Sequence, residues 1–244
     1  MSVVEIRHDG ATTIFTLNRP EARNAINVEM AEVLHFGFAE FDASSQKVAI
    51  ITAAGDDFAQ GADLGDTPTV WKVYPTLGLK TDKPVICAVN GLALGAGFIM
   101  ALMSDLCVAS ERAVFHYSEA QIGVSIGGIV TLAARIPHKL AMEVMLLGRP
   151  VHAQRAQEMG FVNQVVPHGQ QLEAALVRAR ELETMAPLVL KMLKRFVTEH
   201  TLNQSPYEKM ARIQSDIEIV SSSDDWAVGM AAYLDNRSVS FRWM

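Results

Sequence analysis

The chain has very little cysteine: Cys87 and Cys107 are the two in 244 residues. Two cysteines cannot form the disulfide framework of a small secreted domain, and they lack the paired spacing of a zinc site. Both lie in apolar runs, which favours buried free thiols in a reducing compartment. The first eight residues show no cationic start followed by an apolar stretch. We therefore expect no metal site and a cytoplasmic location.

An excess of positive charge is also missing. The chain has 21 lysines and arginines against 27 aspartates and glutamates, a net charge of −6. Without a basic field over its surface, the protein is not expected to bind nucleic acid, although a local site for a small anion stays open. Half of the residues are hydrophobic and a fifth are charged. This composition excludes disordered and low-complexity classes, and the length suits one large domain or two small ones.

Charge is absent altogether from Val85 to Met103. An apolar window of that length is long enough for a membrane-spanning helix. However, Asn90 and three glycines interrupt it, its first five residues are rich in β-branched side chains, and no basic flank accompanies it. We therefore predict a buried strand, a turn and a buried helix, and no association with a membrane.

The apolar patterns predict strands alternating with helices in the first half of the chain and helices alone in the second. Predicted strands cover 11–17, 48–52, 85–89, 106–109 and 113–117. Predicted helices cover 27–41, 139–147, 152–159, 170–185, 187–199, 205–220 and 224–233. Several strands are continuous apolar runs, which indicates a sheet covered on both faces. The class is α/β with a helical tail.

Two glycine-containing turns, 58–64 and 90–97, follow buried strands. Glycine lets the backbone approach a ligand closely, and a helix N-terminus adds partial positive charge. Two such turns facing each other suit an oxyanion held by backbone N–H groups. The spacing alone also fits tight turns between packed elements. The second turn lacks the G-x-G-x-x-G order, which argues against a dinucleotide site.

Taken together, these segments resemble the crotonase superfamily, the enoyl-CoA hydratase/isomerase family. The resemblance extends from about Leu17 to Phe241. The matching stretches are 17–26 (LNRPEARNAI), 58–64 (FAQGADL), 83–91 (KPVICAVNG), 93–97 (ALGAG), 104–106 (SDL), 113–115 (AVF), 140–143 (LAME), 147–148 (LG) and 153–163 (AQRAQEMGFVN).

The resemblance implies an α/β fold with a crotonase-like ββα superhelix core. It places the core in residues 1–187 and a C-terminal helical trimerisation region in 188–244, within one family domain. It also implies an acyl-CoA thioester as the substrate and assembly as a homotrimer or a pair of trimers. Coenzyme A would enter as part of the substrate, and no separate cofactor is expected.

In that family two backbone N–H groups hold the thioester oxygen, and the equivalent residues here are Ala62 and Ala96. The same comparison implies a binding site for the CoA thioester made by Arg23, Ala59, Gly61, Ala62, Asp63, Leu64 and Ala96. Read without the resemblance, Arg23 is equally consistent with a solvated side chain and Asp63 with a turn or helix-cap residue. An alanine at position 96 keeps its N–H group, provided that its φ is negative.

Hydratases of this family use two glutamates twenty residues apart, and the equivalents here are Ile99 and Glu119. Isoleucine cannot transfer a proton. Glu119 by itself is typical of a turn or a helix cap, whereas the resemblance assigns it acid/base catalysis. One carboxylate suffices for a 1,3-proton shift, so the leading expectation is a Δ3,Δ2-enoyl-CoA isomerase. Alternatives are enoyl-CoA hydration, thioester hydrolysis, decarboxylation, carbon–carbon cleavage, or a CoA-binding protein with little catalytic activity.

Two segments depart from the family pattern. The loop 123–128 lacks a carboxylate and the usual proline, so we expect a reshaped acyl pocket. The segment 65–82 is shorter than usual and contains Trp71 and Tyr74. Both loop packing and a lining of the acyl site are open for these two aromatic residues.

Overall fold

The computed structural model describes residues 2–123, 127–235, 237, 238 and 241. Part of the loop expected to reshape the acyl pocket, residues 124–126, lies outside the described residues. The strands are β1 (Val4–Asp9), β2 (Thr12–Leu17), β3 (Val48–Ala53), β4 (Val85–Val89), β5 (Leu92–Leu94), β6 (Leu106–Ser110), β7 (Val114–His116), β8 (Val151–His152) and β9 (Gln164–Val166).

The helices alternate with these strands and then continue without them. They are α1 (Val28–Ala43), α2 (Ala96–Met103), α3 (Glu119–Ile122), α4 (His138–Leu147), α5 (Ala153–Met159), α6 (Gln171–Glu183), α7 (Pro187–Arg195), α8 (Pro206–Ser221) and α9 (Asp224–Leu234). Short 3-10 helices cover Pro20–Ala22, Val70–Val73 and Gly128–Ala134, and a π-helical turn at Phe196–Thr201 continues α7.

The main sheet has six strands in the order β1-β2-β3-β4-β6-β9. The strand β1 runs antiparallel to β2, and the other neighbours are parallel. Because β3 and β4 are buried along almost their whole length, both faces of the sheet must be covered. Val48 and Ile50 point to the face covered by α6, whereas Ala49 and Ile51 point to the face covered by α1 and α2.

The predicted strand, turn and helix within the uncharged window are confirmed as β4, a turn containing β5, and α2. Every residue of α2 is buried, which explains its lack of charge. Within the described residues, no helix has the length and apolarity needed to cross a bilayer. A second sheet, in the order β5-β7-β8, lies beside the turn.

One polar network fixes the layers around this window. Lys194 on α7 donates to the carbonyl of Lys83 and to the carboxylate of Asp105, at 2.7 Å in both cases. Asp105 also accepts from the backbone N–H of Val85 at 2.7 Å. The aspartate thus has a structural role, since it ties the start of β4 to α7.

The structure differs from the sequence expectations mainly at the edges. The strand β1 was not anticipated, because Val4 is its one fully buried residue and its other side chains are largely exposed. The helix expected over 187–199 changes at Phe196 into a π-helical turn. Helices α7, α8 and α9 follow the core in the chain, whereas the division at residue 187 and the trimerisation role stay predictions.

Candidate functional site

The first glycine-containing turn is held by main-chain pairing with the segment that precedes α1. Ile26 donates its N–H to the carbonyl of Gly61 at 2.8 Å, and its own carbonyl accepts from the N–H of Asp63 at 2.8 Å. Ile26 and Ala62 therefore form a parallel bridge. In this pattern the neighbours of Ala62 make the bonds, so the Ala62 N–H points away from the partner segment and is available to a ligand.

Glycine is required on both sides of the site. Gly61 has a φ of 86°, and a Cβ there would lie 3.2 Å from the carbonyl oxygen of Leu94. A Cβ on Gly97 would lie 2.7 Å from the Cβ of Ala59 and 2.9 Å from its carbonyl oxygen. These contacts leave no room for a side chain, so the two turns approach each other backbone to backbone.

Ala96 is the first residue of α2, so its φ is negative and alanine is unstrained there. The residue before it, Gly95, has a φ of 52° and donates its N–H to the carbonyl of His116 at 3.0 Å. The Ala96 nitrogen lies 3.8 Å from the position of a Cβ on Gly61. The N–H groups of Ala62 and Ala96 thus come from adjacent backbone segments, and that of Ala96 lies at a helix N-terminus.

Glu119 begins the short helix α3 and is half-buried, and its charge acts on three tyrosines. Burial and then the nearby Glu119 carboxylate raise the pKa of Tyr117 far above the ordinary value. Burial and then the Glu119 charge raise the pKa of Tyr207 to about 12. Burial is also the main cause of a raised pKa at Tyr74, with smaller contributions from Tyr207, Glu119 and Tyr117. The four side chains form one group, named the tyrosine cluster here.

Ile99 lies one helical turn after Ala96, where the resemblance places the first glutamate of a hydratase. Its side chain is 1% exposed. A Cβ on Gly128 would lie 2.7 Å from the Cδ1 of Ile99 and 3.4 Å from the hydroxyl oxygen of Tyr74. The space beside Gly128 is therefore filled by an apolar side chain and a tyrosine.

The two aromatic residues of segment 65–82 have different surroundings. Trp71 packs edge-on against His35 of α1, with ring centroids 6.2 Å apart. Tyr74 packs against Tyr207, with ring centroids 6.1 Å apart, and is buried in the tyrosine cluster. Trp71 is therefore a residue of loop packing, whereas Tyr74 lies near Glu119.

The start of α8 brings Tyr207 to the cluster, and polar contacts fix this position. Ser205 and Glu208 form a capping box, in which the Ser205 hydroxyl accepts from the N–H of Glu208. A carboxylate oxygen of Glu208 also lies 3.1 Å from the guanidinium of Arg135. This contact joins α8 to the end of the 3-10 helix that contains Gly128.

The polar residues expected near coenzyme A are already paired within the chain. Arg23 is half-exposed and contacts the carboxylate of Asp57, which raises the pKa of the guanidinium. Asp63 accepts from the N–H of Gly65 and forms an ion pair with Arg19 at 3.2 Å, and these contacts lower its pKa. These contacts support the turn-stabilising role considered for Asp63.

Among the other residues expected at the site, Leu64 is largely exposed, whereas Ala59 is fully buried. Ala59 forms a parallel bridge with Ala93 and packs against Gly97. Its contribution to the site is thus to hold the two turns together. Over the described part of the chain, no three His, Cys, Asp or Glu side chains cluster as a metal site would require.

Asn24 is a structural residue beside the first turn, and its role was not expected from the sequence. It is fully buried, with a φ of 54°. Its amide donates to the carbonyls of Ala54 and Asp57 at 2.8 Å, and its Oδ1 accepts from the N–H of Arg19 at 2.8 Å. Asparagine tolerates this left-handed backbone better than most residues. The sequence signal that could have indicated this role is its position in the stretch NRPEARNA, which matches the family pattern.

A cavity of about 470 Å³ lies at the opposite end of α2, lined by Leu102, Met103 and apolar residues of α7. The eight residues of α2 separate it from Ala96 by about 12 Å of helix. Neither Glu119 nor the Ala62 turn lines it. We therefore place the candidate site at the N-terminal end of α2 and not in this cavity.

Comparison with known proteins shows the family of the chain. The family model described as enoyl-CoA hydratase/isomerase matches residues 8–243. Enoyl-CoA hydratase EchA19 of Mycobacterium tuberculosis is 33% identical, over 97% of this chain and 95% of that protein. The 2,3-dehydroadipyl-CoA hydratase of Escherichia coli is 32% identical, over 99% of both chains.

The fold matches solved structures over the same length. The crystal structure of carnitinyl-CoA hydratase from Mycobacterium avium has a TM-score of 0.77 at 29% identity, covering 99% of each chain. The crotonase-like α/β fold with a helical C-terminal region is thus confirmed. By its sequence match and by its fold, this chain belongs to the enoyl-CoA hydratase/isomerase family, the crotonase superfamily.

Proposed function

We propose that the protein binds an acyl-CoA thioester and stabilises its enolate between the N–H groups of Ala62 and Ala96. The adjacency of the two turns is the observation that carries this proposal. Removing a proton from C2 of the acyl group places negative charge on the thioester oxygen. A fixed backbone donor that faces such a charge lowers the free energy of the transition state by about 3–4 kcal/mol. Arg23 would contact the phosphates of coenzyme A, exchanging its Asp57 contact for them.

Glu119 then moves the proton, and a Δ3,Δ2-enoyl-CoA isomerisation fits its surroundings best. The carboxylate removes a C2 proton from a 3-enoyl-CoA and returns it at C4, which leaves a 2-enoyl-CoA and an unchanged carboxylate. Ile99 supports this choice, because it offers no second carboxylate to activate water. Ile99 and Tyr74 also fill the space beside Gly128.

Hydration of a 2-enoyl-CoA, or the reverse dehydration, is the second candidate. It is favoured by the names of the relatives, which are hydratases. In that reaction Glu119 alone would have to serve both the water and the C2 proton. The two candidates therefore differ in the substrate that the purified protein consumes.

The purified protein is incubated separately with a 3-enoyl-CoA, a 2-enoyl-CoA and a 3-hydroxyacyl-CoA of the same chain length, and the products are separated chromatographically. We expect conversion of the 3-enoyl to the 2-enoyl form to be the fastest reaction. Glu119→Gln should lower kcat by about 10²–10⁴-fold, the usual contribution of a general acid or base. Faster hydration than isomerisation would overturn the isomerase assignment, and normal turnover by Glu119→Gln would remove Glu119 from the mechanism.

Glu158→Gln is the matched control for the loss of one carboxylate. Glu158 is exposed on α5 and forms a surface pair with Arg155. We expect wild-type kcat from this variant, since exposed pairs contribute little to structure or stability.

We also propose that the protein assembles as a homotrimer or a pair of trimers and is located in the cytoplasm. Light scattering of the purified protein tests the assembly, and a monomer at micromolar concentration would contradict it.

A further inference from the structure

The first turn of α2 carries a large apolar side chain next to the candidate oxyanion site. Ile99 donates its N–H to the carbonyl of Gly95 at 3.1 Å, so it completes the helical turn that begins at Ala96. Side chains of an α-helix tilt toward its N-terminus. The Ile99 side chain therefore leans toward the end of α2 at which the thioester oxygen is proposed to bind.

Two tyrosines close the same space from other parts of the chain. A Cβ on Gly128 would lie 2.7 Å from the Cδ1 of Ile99 and 3.4 Å from the ring of Tyr74. A Cβ on Gly127 would lie 3.6 Å from the Cδ2 of Tyr207. The rings of Tyr74 and Tyr207 lie side by side, with centroids 6.1 Å apart. Three side chains from separate segments thus meet at the two glycines.

Tyr74 is anchored, so its ring does not move aside without a change in the loop that carries it. Its carbonyl accepts the N–H groups of Leu77 and Leu79, at 3.1 Å in both cases. A Cβ on Gly78 would overlap the backbone of Lys72, which shows how tightly the loop closes on itself. A fully buried ring on such a loop forms a wall of fixed position.

The distance from the oxyanion donors to this wall is short. The three residues of helix from Ala96 to Ile99 rise about 4.5 Å. A carbon–carbon bond is about 1.5 Å long, so roughly three such bonds span this rise. An acyl group whose thioester oxygen lies at the Ala96 N–H would therefore reach the wall after about four to six carbons.

We propose that Tyr74, together with Ile99, ends the acyl pocket, so that the protein selects a short acyl-CoA thioester of about four to six carbons. The inference rests on the proposed binding of the thioester at Ala62 and Ala96. A close-packed wall resists the insertion of further atoms. A misfit of one methylene group in an apolar pocket changes selectivity by about 10- to 200-fold.

The test measures binding without any reaction. Isothermal titration calorimetry gives the Kd of saturated butanoyl-, hexanoyl-, octanoyl- and decanoyl-CoA for each variant. We expect wild type to bind decanoyl-CoA at least about tenfold more weakly than butanoyl-CoA. Tyr74→Leu should reverse this order, because each methylene group that is newly buried tightens binding about fourfold. Ile99→Ala opens the same wall from α2 and should also admit the decanoyl chain.

Two control variants separate the wall from a general loosening of the protein. Tyr74→Phe keeps the ring, so it should keep the wild-type order of affinities. Phe38→Leu removes a different buried ring, which stacks on Phe15 between α1 and β2 with centroids 4.5 Å apart. We expect Phe38→Leu to lower Tm and to leave the order of affinities unchanged.

The outcomes distinguish the length limit from the proposed function. If none of the four thioesters binds, the proposed function fails and the length limit with it. If all bind and wild-type affinity does not fall with chain length, the length limit alone is wrong. The wild-type order in folded Tyr74→Leu and Ile99→Ala proteins, or the same reversal in Tyr74→Phe or Phe38→Leu, would also overturn it. Ile99→Ala decides the question if Tyr74→Leu does not fold.

Discussion

The guanidinium of Arg135 lies 3.1 Å from the carboxylate of Glu208, and the two side chains are 13% and 7% exposed. This pair joins the end of the 3-10 helix Gly128–Ala134 to the first turn of α8. Tyr207, next to Glu208, is thereby fixed beside Glu119. The C-terminal helical region thus contributes to the wall of the candidate site through one buried ion pair.

Breaking that pair should destabilise the protein more than it changes the chemistry. Glu208→Gln leaves the Arg135 charge buried without its counterion, which typically costs about 3 kcal/mol or more of unfolding free energy. Urea denaturation measures the loss. Glu158→Gln, in an exposed pair, should change the same quantity by at most about 0.5 kcal/mol. Equal effects of the two variants would show that the Arg135–Glu208 pair has no special role.

Ile99→Glu tests whether the missing carboxylate decides the reaction. The new side chain would lie near Tyr74 and Gly128. By the family resemblance, this is the position of the first of the two glutamates in hydratases. We expect the ratio of hydration to isomerisation to rise at least tenfold, together with a lower Tm from a buried charge. Ile99→Val, which removes a single methylene, is the control and should keep the wild-type ratio. An unchanged ratio in a folded Ile99→Glu protein would contradict the explanation.

Gly97→Ala tests the close approach of the two turns. The new Cβ would meet Ala59 at 2.7 Å, so α2 must shift and carry the Ala96 N–H with it. We expect a loss of kcat of about 10²-fold or more, comparable to the loss of one oxyanion donor. Gly229→Ala on α9 meets side-chain atoms only at 3.4 Å and beyond, so its activity should equal that of the wild type. An active Gly97→Ala enzyme would show that the position of Ala96 is unimportant.

The two buried cysteines supply a prediction about thiol reactivity. Burial raises the pKa of Cys87 to about 12 and that of Cys107 well above its ordinary value. Because a raised pKa keeps a thiol protonated, neither cysteine presents a nucleophilic thiolate at pH 8. A disulfide reagent such as DTNB should therefore modify neither in the folded protein and both in guanidinium chloride. Rapid reaction of the native protein would show that the core around β4 and β6 opens.

Continuous burial explains which parts of the fold were predictable. The strands β3 and β4 and the helix after them are apolar along their length, so their sequences alone indicate their type. The strand β1 was missed because its hydrogen bonds with β2, and not its own pattern, make it a strand. The π-helical turn at Phe196–Thr201 has no local signal of its own either.

The candidate site was predictable where its groups are local in sequence. The two glycine-containing turns are visible in the sequence, and the family resemblance assigns them and Glu119 to the site. Asn24 was missed because its role depends on carbonyls thirty residues away. Tyr207 was missed because α8 meets Glu119 only through tertiary packing, fixed by Arg135 and Glu208. Contacts between distant segments leave no periodic trace in the chain.

The proposed donors at Ala62 and Ala96 are main-chain groups, and main-chain pairing of the two turns holds them in place. We therefore expect substitutions at positions 99 and 119 to leave these two N–H groups in place. The side chains proposed to decide the proton transfer can then be varied while the proposed contacts with the thioester stay the same. A combinatorial library restricted to these two positions would test new proton-transfer chemistry on one backbone arrangement, which makes the chain a suitable starting point for redesign.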